Sequence, residues 1–302
     1  MSSTKDTSAE ELLSAAIGID SVSQLNMALE QVVSCGSVAS YQDFVNSALL
    51  SAVQNGCLSL TTHLLNEEDA SVSVLTPIHI STKPSIPLFE VLLAHGWDLN
   101  LEGPRNSIHK GKRVIDWVCE NDGLTQWLVE HGASVDGGMQ EYAVEARPPM
   151  LLETCAALGS VETFRLMRLH GAKLGKRVLH VAVSEGAALG ADPASVGDRS
   201  DASVVTIGDE EHKNRARRRV EMLLFLVDEL KLDVNTLDSD DVKAKHWGPP
   251  LNYAAKEKNG AAVVRWLLTK GADPQLNSAG GLKAADIAKS FKATDVLEAL
   301  PH

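Results

Sequence analysis

Apolar residues along the chain recur mostly every three or four positions, which is the spacing of one helix face. Ala9 to Ile17 and Val22 to Val33 both follow it, with Leu25, Ala28 and Val32 on one stripe and Ser21 placed as an N-cap. From Phe44 onward a compound pattern sets in: a short helix, a tight turn, a leucine-rich second helix and a glycine exit. Phe44 to Asn55, Gly56 and Leu58 to Leu65 form the first such unit. Thr76 to Asn100 is the second, with Pro84 and Pro87 shortening its first helix and stiffening its turn. The third spans Arg113 to Asp136 and turns at Gly123, and the fourth spans Met150 to Leu174 and turns at Gly159. The fifth opens at Arg177 and closes at Asn235, the sixth runs from Pro249 to Pro274, and Lys283 to Leu300 is truncated.

Physical roles explain the recurrence. Thr or Ser at a unit's opening caps the first helix, and Pro one place later lacks an N–H that would be unused there. A Leu-Leu pair in the second helix packs on the next unit. Glycine at the exit adopts the left-handed conformation, where a Cβ would clash. Asp98 and Asp273, just beyond, suit the turn that follows. The excess over a fixed period falls in loops at 101–112, 137–147 and 236–247. A longer insert, 187–214, is rich in Gly, Ser, Ala and Asp and is expected to be mobile or disordered.

Thr76-Pro77-Ile78-His79-Ile80 and the closing run Phe89 to Asn100 resemble the opening and exit of an ankyrin repeat. Arg177-Val178-Leu179-His180-Val181-Ala182 is the closest match to that opening. The exit glycines Gly96, Gly132 and Gly171 are spaced by 36 and 39 residues, against about 33 in the ankyrin pattern. The likeness covers 48–302, and Trp97 after the glycine is similar to fungal ankyrin-repeat proteins in particular. Asp116, Glu153, Asn252 and Asp286 depart from it, standing where the histidine would be, and Lys231 replaces the exit glycine of the fifth unit. The resemblance implies an all-α fold: an ankyrin-repeat solenoid of about six repeats with short hairpin loops and helical end caps. Residues 1–47 would be the N-terminal cap and 48–302 the repeat domain, with the 187–214 insert in the fifth repeat.

Composition agrees with close helix packing. Aromatics are 4% of 302 residues, fewer than a sandwich or barrel uses. The net charge of -12 argues against broad binding to nucleic acid or anionic membrane. No stretch of about 18 apolar residues is present for a membrane-spanning helix, and the start, Met1 to Asp6, lacks an apolar signal region. Cys35, Cys57, Cys119 and Cys155 are far apart, with no CxxC pair, and are read as free thiols of a cytoplasmic protein.

Candidate chemistry is sparse. His79 and His180 match the structural histidine of the repeat, and His95, His131 and His170 sit at second-helix ends, where an imidazole suits the dipole. Their separation provides no metal-ligand spacing. No phosphate loop, nucleophile elbow or HExxH is present. Asp240-Asp241 and Glu210-Glu211 read as solvated charge. The expectation is a protein without catalytic activity, cofactor or metal.

Lys213-Asn214-Arg215-Ala216-Arg217-Arg218-Arg219 is the strongest basic run. It fits a nuclear-import signal, or a solvated helix start beside Asp209-Glu210-Glu211. Hairpin positions carry Lys110, Lys112, Arg147, Lys173, Lys176, Lys245 and His246, with Trp247 alongside. In a stacked solenoid these would form a basic strip with an aromatic anchor on an acidic molecule. The expected function is therefore a non-catalytic scaffold or adaptor that binds a protein partner, through an acidic segment, at hairpin tips and the concave groove. Two alternatives stand beside it: an accessory enzyme, for example of fungal biosynthesis, with a pocket in the 101–112 loop or 187–214 insert, and a nuclear regulator using 213–219. Nothing in the pattern sets an oligomeric state.

Overall fold

The computed structural model describes residues 8–35, 38–104, 106–107, 111–136, 150–195, 210–239 and 247–301. Among them the chain is all-helical, with sixteen α-helices and no strand. None of these helices is long and apolar enough to cross a membrane. The contacts divide into two compact units, Met1–Val118 with Glu130–Ala133, and Cys119–Val129 with Ser134–His302.

The first unit holds α1 (Ala9–Ile19), α2 (Val22–Cys35), α3 (Val38–Asn55), α4 (Leu58–Asn66), a 3-10 turn (Val72–Val74), α5 (Pro77–Ile80), α6 (Ile86–Ala94) and α7 (Ile115–Val118). Helix α1 packs on α2, α2 on α3, α3 on α4 and α5, and α4 on α6. Their shared core includes Leu25, Leu49, Leu60, Leu64, Phe89 and Leu92, all without solvent exposure. Asp20 ties the start of this array together. Its carboxylate accepts from the Ser59 and Leu60 amides at 3.1 and 3.0 Å, which closes the open N-terminus of α4. Helix α3 begins at Val38, six residues before the expected Phe44. No Gly or Pro between Val38 and Asp43 breaks a helix, so α3 extends back to Val38.

The second unit holds α8 (Asp122–Glu130, except its last residue), α9 (Leu151–Leu158), α10 (Val161–Leu169), α11 (Val178–Ala188) and α12 (Glu210–Leu224). A π-helical turn, Phe225–Glu229, continues α12, followed by α13 (Pro250–Ala255), α14 (Ala261–Thr269), α15 (Ala284–Phe291) and α16 (Thr294–Ala299). Helix α11 lies against α9, α12 and α13, and α14 against α13 and α16. Phe164 meets Phe225 edge to face at 5.6 Å, within the range such pairs favour. The insert expected over 187–214 is narrower than that span: α11 reaches Ala188 and α12 begins at Glu210. Residues 196–209 lie outside the described residues.

Three regularities tie local sequence to these elements. Exit positions take the left-handed backbone: φ is +80° at Gly96, +93° at Gly132, +96° at Gly171 and +90° at Gly271. Lys231 replaces glycine in the fifth exit and still adopts φ +56°, so the geometry survives at the strain of a Cβ there. The second regularity concerns the fourth place of each opening. His79 Nδ1 accepts from the Thr76 amide (3.2 Å), Asp116 from Arg113 (2.8 Å), Glu153 from Met150 (3.1 Å) and Asp286 from Lys283 (3.2 Å). Each satisfies an otherwise unbonded N–H at a helix start. Carboxylates thus do the histidine's local task.

The third regularity is close approach between successive units. Glu153 is fully buried, and its carboxylate also accepts from the Arg177 amide at 3.2 Å and guanidinium at 3.0 Å. Gly175 makes room for it, since a Cβ there would come within 2.3 Å of Glu153 Oε1. Gly175→Ala therefore forces Glu153 off its cap. It should destabilise the protein by about 1–3 kcal/mol in urea unfolding, whereas Gly280→Ala, whose Cβ would meet only Ser278 Oγ at 3.8 Å, should change little.

Candidate functional site

Three described stretches of the second unit connect its helices: 172–177 before α11, 230–239 with 247–249 before α13, and 270–283 before α15. Each turns out of the preceding helix at a left-handed residue, Gly171, Lys231 or Gly271. In the latter two an aspartate then folds the backbone. Asp233 accepts from the Asn235 amide at 2.9 Å, and Asp273 from the Gln275 amide at 2.8 Å. Neighbouring loops are tied directly. Asn235 donates to the Gly271 carbonyl at 3.0 Å and accepts from the Asp273 amide at 2.8 Å. A Cβ on Gly248 would come 2.8 Å from the Asn277 carbonyl oxygen, so those two loops touch backbone to backbone.

Below the loops sits His180, with no solvent exposure. Its Nε2 pairs with the Thr236 carbonyl at 2.9 Å and its ring meets Tyr253 edge on at 5.1 Å. Burial pulls its pKa below the usual histidine range, against the Asp238 carboxylate and backbone groups of Thr236, Gly248 and Lys176, which push it up. The Nε2 bond ties α11, which carries the imidazole, to the second loop. Asp238 closes the second loop on itself. It accepts from the Trp247 and Gly248 amides at 3.0 and 3.1 Å and from the Tyr253 hydroxyl at 2.7 Å. Burial and that carboxylate raise the Tyr253 pKa, so the phenol stays protonated and serves as a donor. The cluster holds loops in place; a fully buried imidazole has no route to a substrate.

The exposed residues of these loops include basic and apolar ones, with the acidic Asp233 and Asp273 among them. Lys173 and Lys176 are exposed on the first loop, with Leu174 between them at 40% exposure. Leu237 and Trp247, each 39% exposed, rise from the second, and Leu282 from the third. Trp247 leans on Phe291 of α15, ring centroids 5.8 Å apart, and both rings keep solvent-facing area. Lys173 and Lys176 thus share the loop before α11, and Trp247 lies on the loop before α13. Lys112 belongs to the first unit, where its ammonium sits 4.5 Å from the Trp117 ring. Lys110, Arg147, Lys245 and His246 lie outside the described residues. The sequence reading missed Leu174, Leu237, Leu282 and Phe291. The available signal was a large apolar residue inside a turn, where none is needed for packing.

Helix α12 carries the basic run, of which the structure buries Arg219 and pairs others with carboxylates. Arg219 is 3% exposed and donates to the Ala156 carbonyl at 3.0 Å and to the Gly159 carbonyl, closing the C-terminus of α9. Arg215 pairs with Glu120 at 3.4 Å and Glu185 at 3.8 Å; Arg218 pairs with Asp122 at 3.8 Å and donates to the Glu120 carbonyl at 3.1 Å. Lys213 meets Glu210 at 2.9 Å. Arg217, at 71% side-chain exposure, faces outward. The crevice between these side chains and Leu189, at the start of the insert, has room for about 10 Å³. That is near the lower limit for one water and far below a substrate site.

The remaining candidate groups are enclosed. Cys57, Cys119 and Cys155 are free and buried, and burial pushes the Cys155 thiol up to about 12, away from nucleophilic use. The Cys35 side chain lies outside the described residues. His95 bonds the Val91 carbonyl at 2.9 Å, at the end of α6. Among the described residues no three His, Cys, Asp or Glu side chains converge as a metal site.

Two measurements test these assignments. Because the folded pKa of His180 lies below its unfolded value of about 6.5, the unfolded chain takes up a proton that the folded chain refuses. The stability contribution is therefore complete above about pH 6.5 and is lost as pH falls from there toward the folded pKa, at no more than about 1.4 kcal/mol per pH unit. The urea midpoint of the wild type should drop more steeply over that window than that of His180→Asn. Arg219→Met leaves two helix-end carbonyls unbonded and should cost about 2–4 kcal/mol in urea unfolding, while Arg217→Met should stay within about 0.5 kcal/mol.

No family model matches the chain, and no curated protein sequence matches it.

Proposed function

We propose that this chain is a non-catalytic, ankyrin-type repeat scaffold whose second unit receives an acidic, partly apolar segment of a partner protein. The observation that carries this reading is the exposed face of the adjacent loops 172–177 and 230–249. Lys173 and Lys176 flank exposed Leu174 on the first, and Leu237 and Trp247 are exposed on the second, on a chain of net charge -12. Local charge opposite to the global charge selects a partner of like sign to the rest of the molecule, and rim lysines steer its approach. Trp247, seated on Phe291 and held at its amide by Asp238, is a large anchor fixed in place before binding.

Support for the repeat reading comes from recurrence. Helices follow one another as short pairs, exits repeat the left-handed residue, and openings repeat the closing acceptor three residues on. In such an architecture each unit needs only its neighbours for a core, which leaves loop tips free to vary. Free thiols buried within helices suit a reducing, cytoplasmic setting. Burial of Arg219 and the ion pairs of Arg215 and Arg218 commit part of the basic run to the fold, so the nuclear reading is not adopted.

The test is quantitative affinity purification with the full chain as bait. The variant Lys173→Glu/Lys176→Glu/Trp247→Ala should recover its specific partner at least about tenfold less than wild type, with an unchanged thermal melt. Arg217→Glu, on the outer face of α12, serves as the charge control and should leave recovery intact. Equal recovery by the wild type and the triple variant would sink the proposal.

A further inference from the structure

The first unit carries a cavity of about 390 Å³ that the loop surface of the second unit does not use. It opens between α2, α3 and the segment just after α4. We infer that this cavity takes a lysine or arginine side chain of a protein segment, which makes it a second docking point of opposite polarity.

Its lining carries the inference. Leu29 and Val33 of α2 provide an apolar wall, and Val33 is 64% exposed although it lies on a helix with a buried face. Tyr41 of α3 adds an aromatic ring. Glu30 and Glu68 stand at the lining, and no lysine or arginine does. Glu30 is exposed and makes no hydrogen bond or ion pair among the described residues. Glu68 is oriented: the Tyr41 hydroxyl donates to Oε2, and His63 Nε2, itself 3.0 Å from Asn26 Oδ1, lies 3.6 Å from Oε1. Burial and that carboxylate push the Tyr41 pKa up to about 12, so the phenol remains the donor.

An apolar stem beside an aromatic face, ending at two carboxylates, complements one class of side chain. The methylenes of a lysine or arginine cover apolar surface while the charged head meets oxygen acceptors and the ring. A volume of about 390 Å³ is within the size of ordinary ligand sites. The surrounding field points the same way. Residues 6–82 contain nine carboxylates and not one lysine or arginine. A basic segment is therefore attracted before it docks, and an acidic one repelled.

The experiment titrates the full-length chain with fluorescein-labelled hexalysine at about 150 mM salt, where long-range attraction is screened. Hexalysine should bind, and its fully acetylated form should not. Glu30→Gln/Glu68→Gln should weaken binding at least about tenfold, while Glu10→Gln/Glu11→Gln, an equal charge change on exposed α1, should weaken it less than about twofold. Amide and ring resonances of Val33 and Tyr41 should shift on addition of peptide to wild type, a readout independent of any variant's folding. Three outcomes overturn the assignment: equal weakening by both double variants, no shift at Val33 and Tyr41, or spermine binding as tightly as the peptide. The first reveals a diffuse field, the second a different site and the third a free polyamine as occupant.

Discussion

A helix of four residues does not persist in water, because fixing its first turn costs more than its one or two hydrogen bonds return. The structure contains two, Pro77–Ile80 and Ile115–Val118. Each stands because a side chain three residues into the opening turns back onto the backbone amide where the helix starts, and because Ile80, Ile115 and Val118 are buried against other helices. The rest of the architecture depends on this pairing of end closure with burial. It allows helices too short for independent existence to be laid down one after another, each completed by contacts beyond its own turn.

The same constraint explains the buried polar groups. Helices this short expose unbonded amides and carbonyls at both ends within a few residues of the core. Arg219, Glu153, Asn252 and Asp20 are the answers the chain uses: a guanidinium on the end of α9, a carboxylate bridging α9 to Arg177, an amide donating to the Trp247 carbonyl and a carboxylate on the start of α4. Burying charge is costly unless it is bonded on several sides, and Arg219 and Glu153 are. His180, Tyr253, Cys155 and Arg219 are enclosed in the same way, each held by contacts within the second unit.

Charge is unevenly spread along the chain. The long stretch without a lysine or arginine lies at one end of the sequence, and exposed Lys173 and Lys176 lie in a loop of the second unit. In the docking surfaces proposed above, charge would steer a partner and apolar burial would retain it.

The sequence by itself determined the helical class, the order of short helix pairs and the left-handed glycine exits, because these depend on neighbours within about four residues. It also marked Lys173, Lys176 and Trp247 as loop residues. It misjudged where helices end when no glycine or proline marks the place, so α3 starts at Val38 and the insert narrows to the span between Ala188 and Glu210. Tertiary structure alone decided the rest. The run from Lys213 to Arg219 reads as a free basic signal until Glu120, Asp122 and Glu185 arrive from distant turns to neutralise it. Lys231 reads as a broken exit until its φ is seen to match the glycines. The cavity beside Tyr41 has no local signature at all, since Glu30 and Glu68 are 38 residues apart and meet only when α2 and the end of α4 pack together. Proximity between distant segments is a property of packing, and periodicity along one helix carries no information about it.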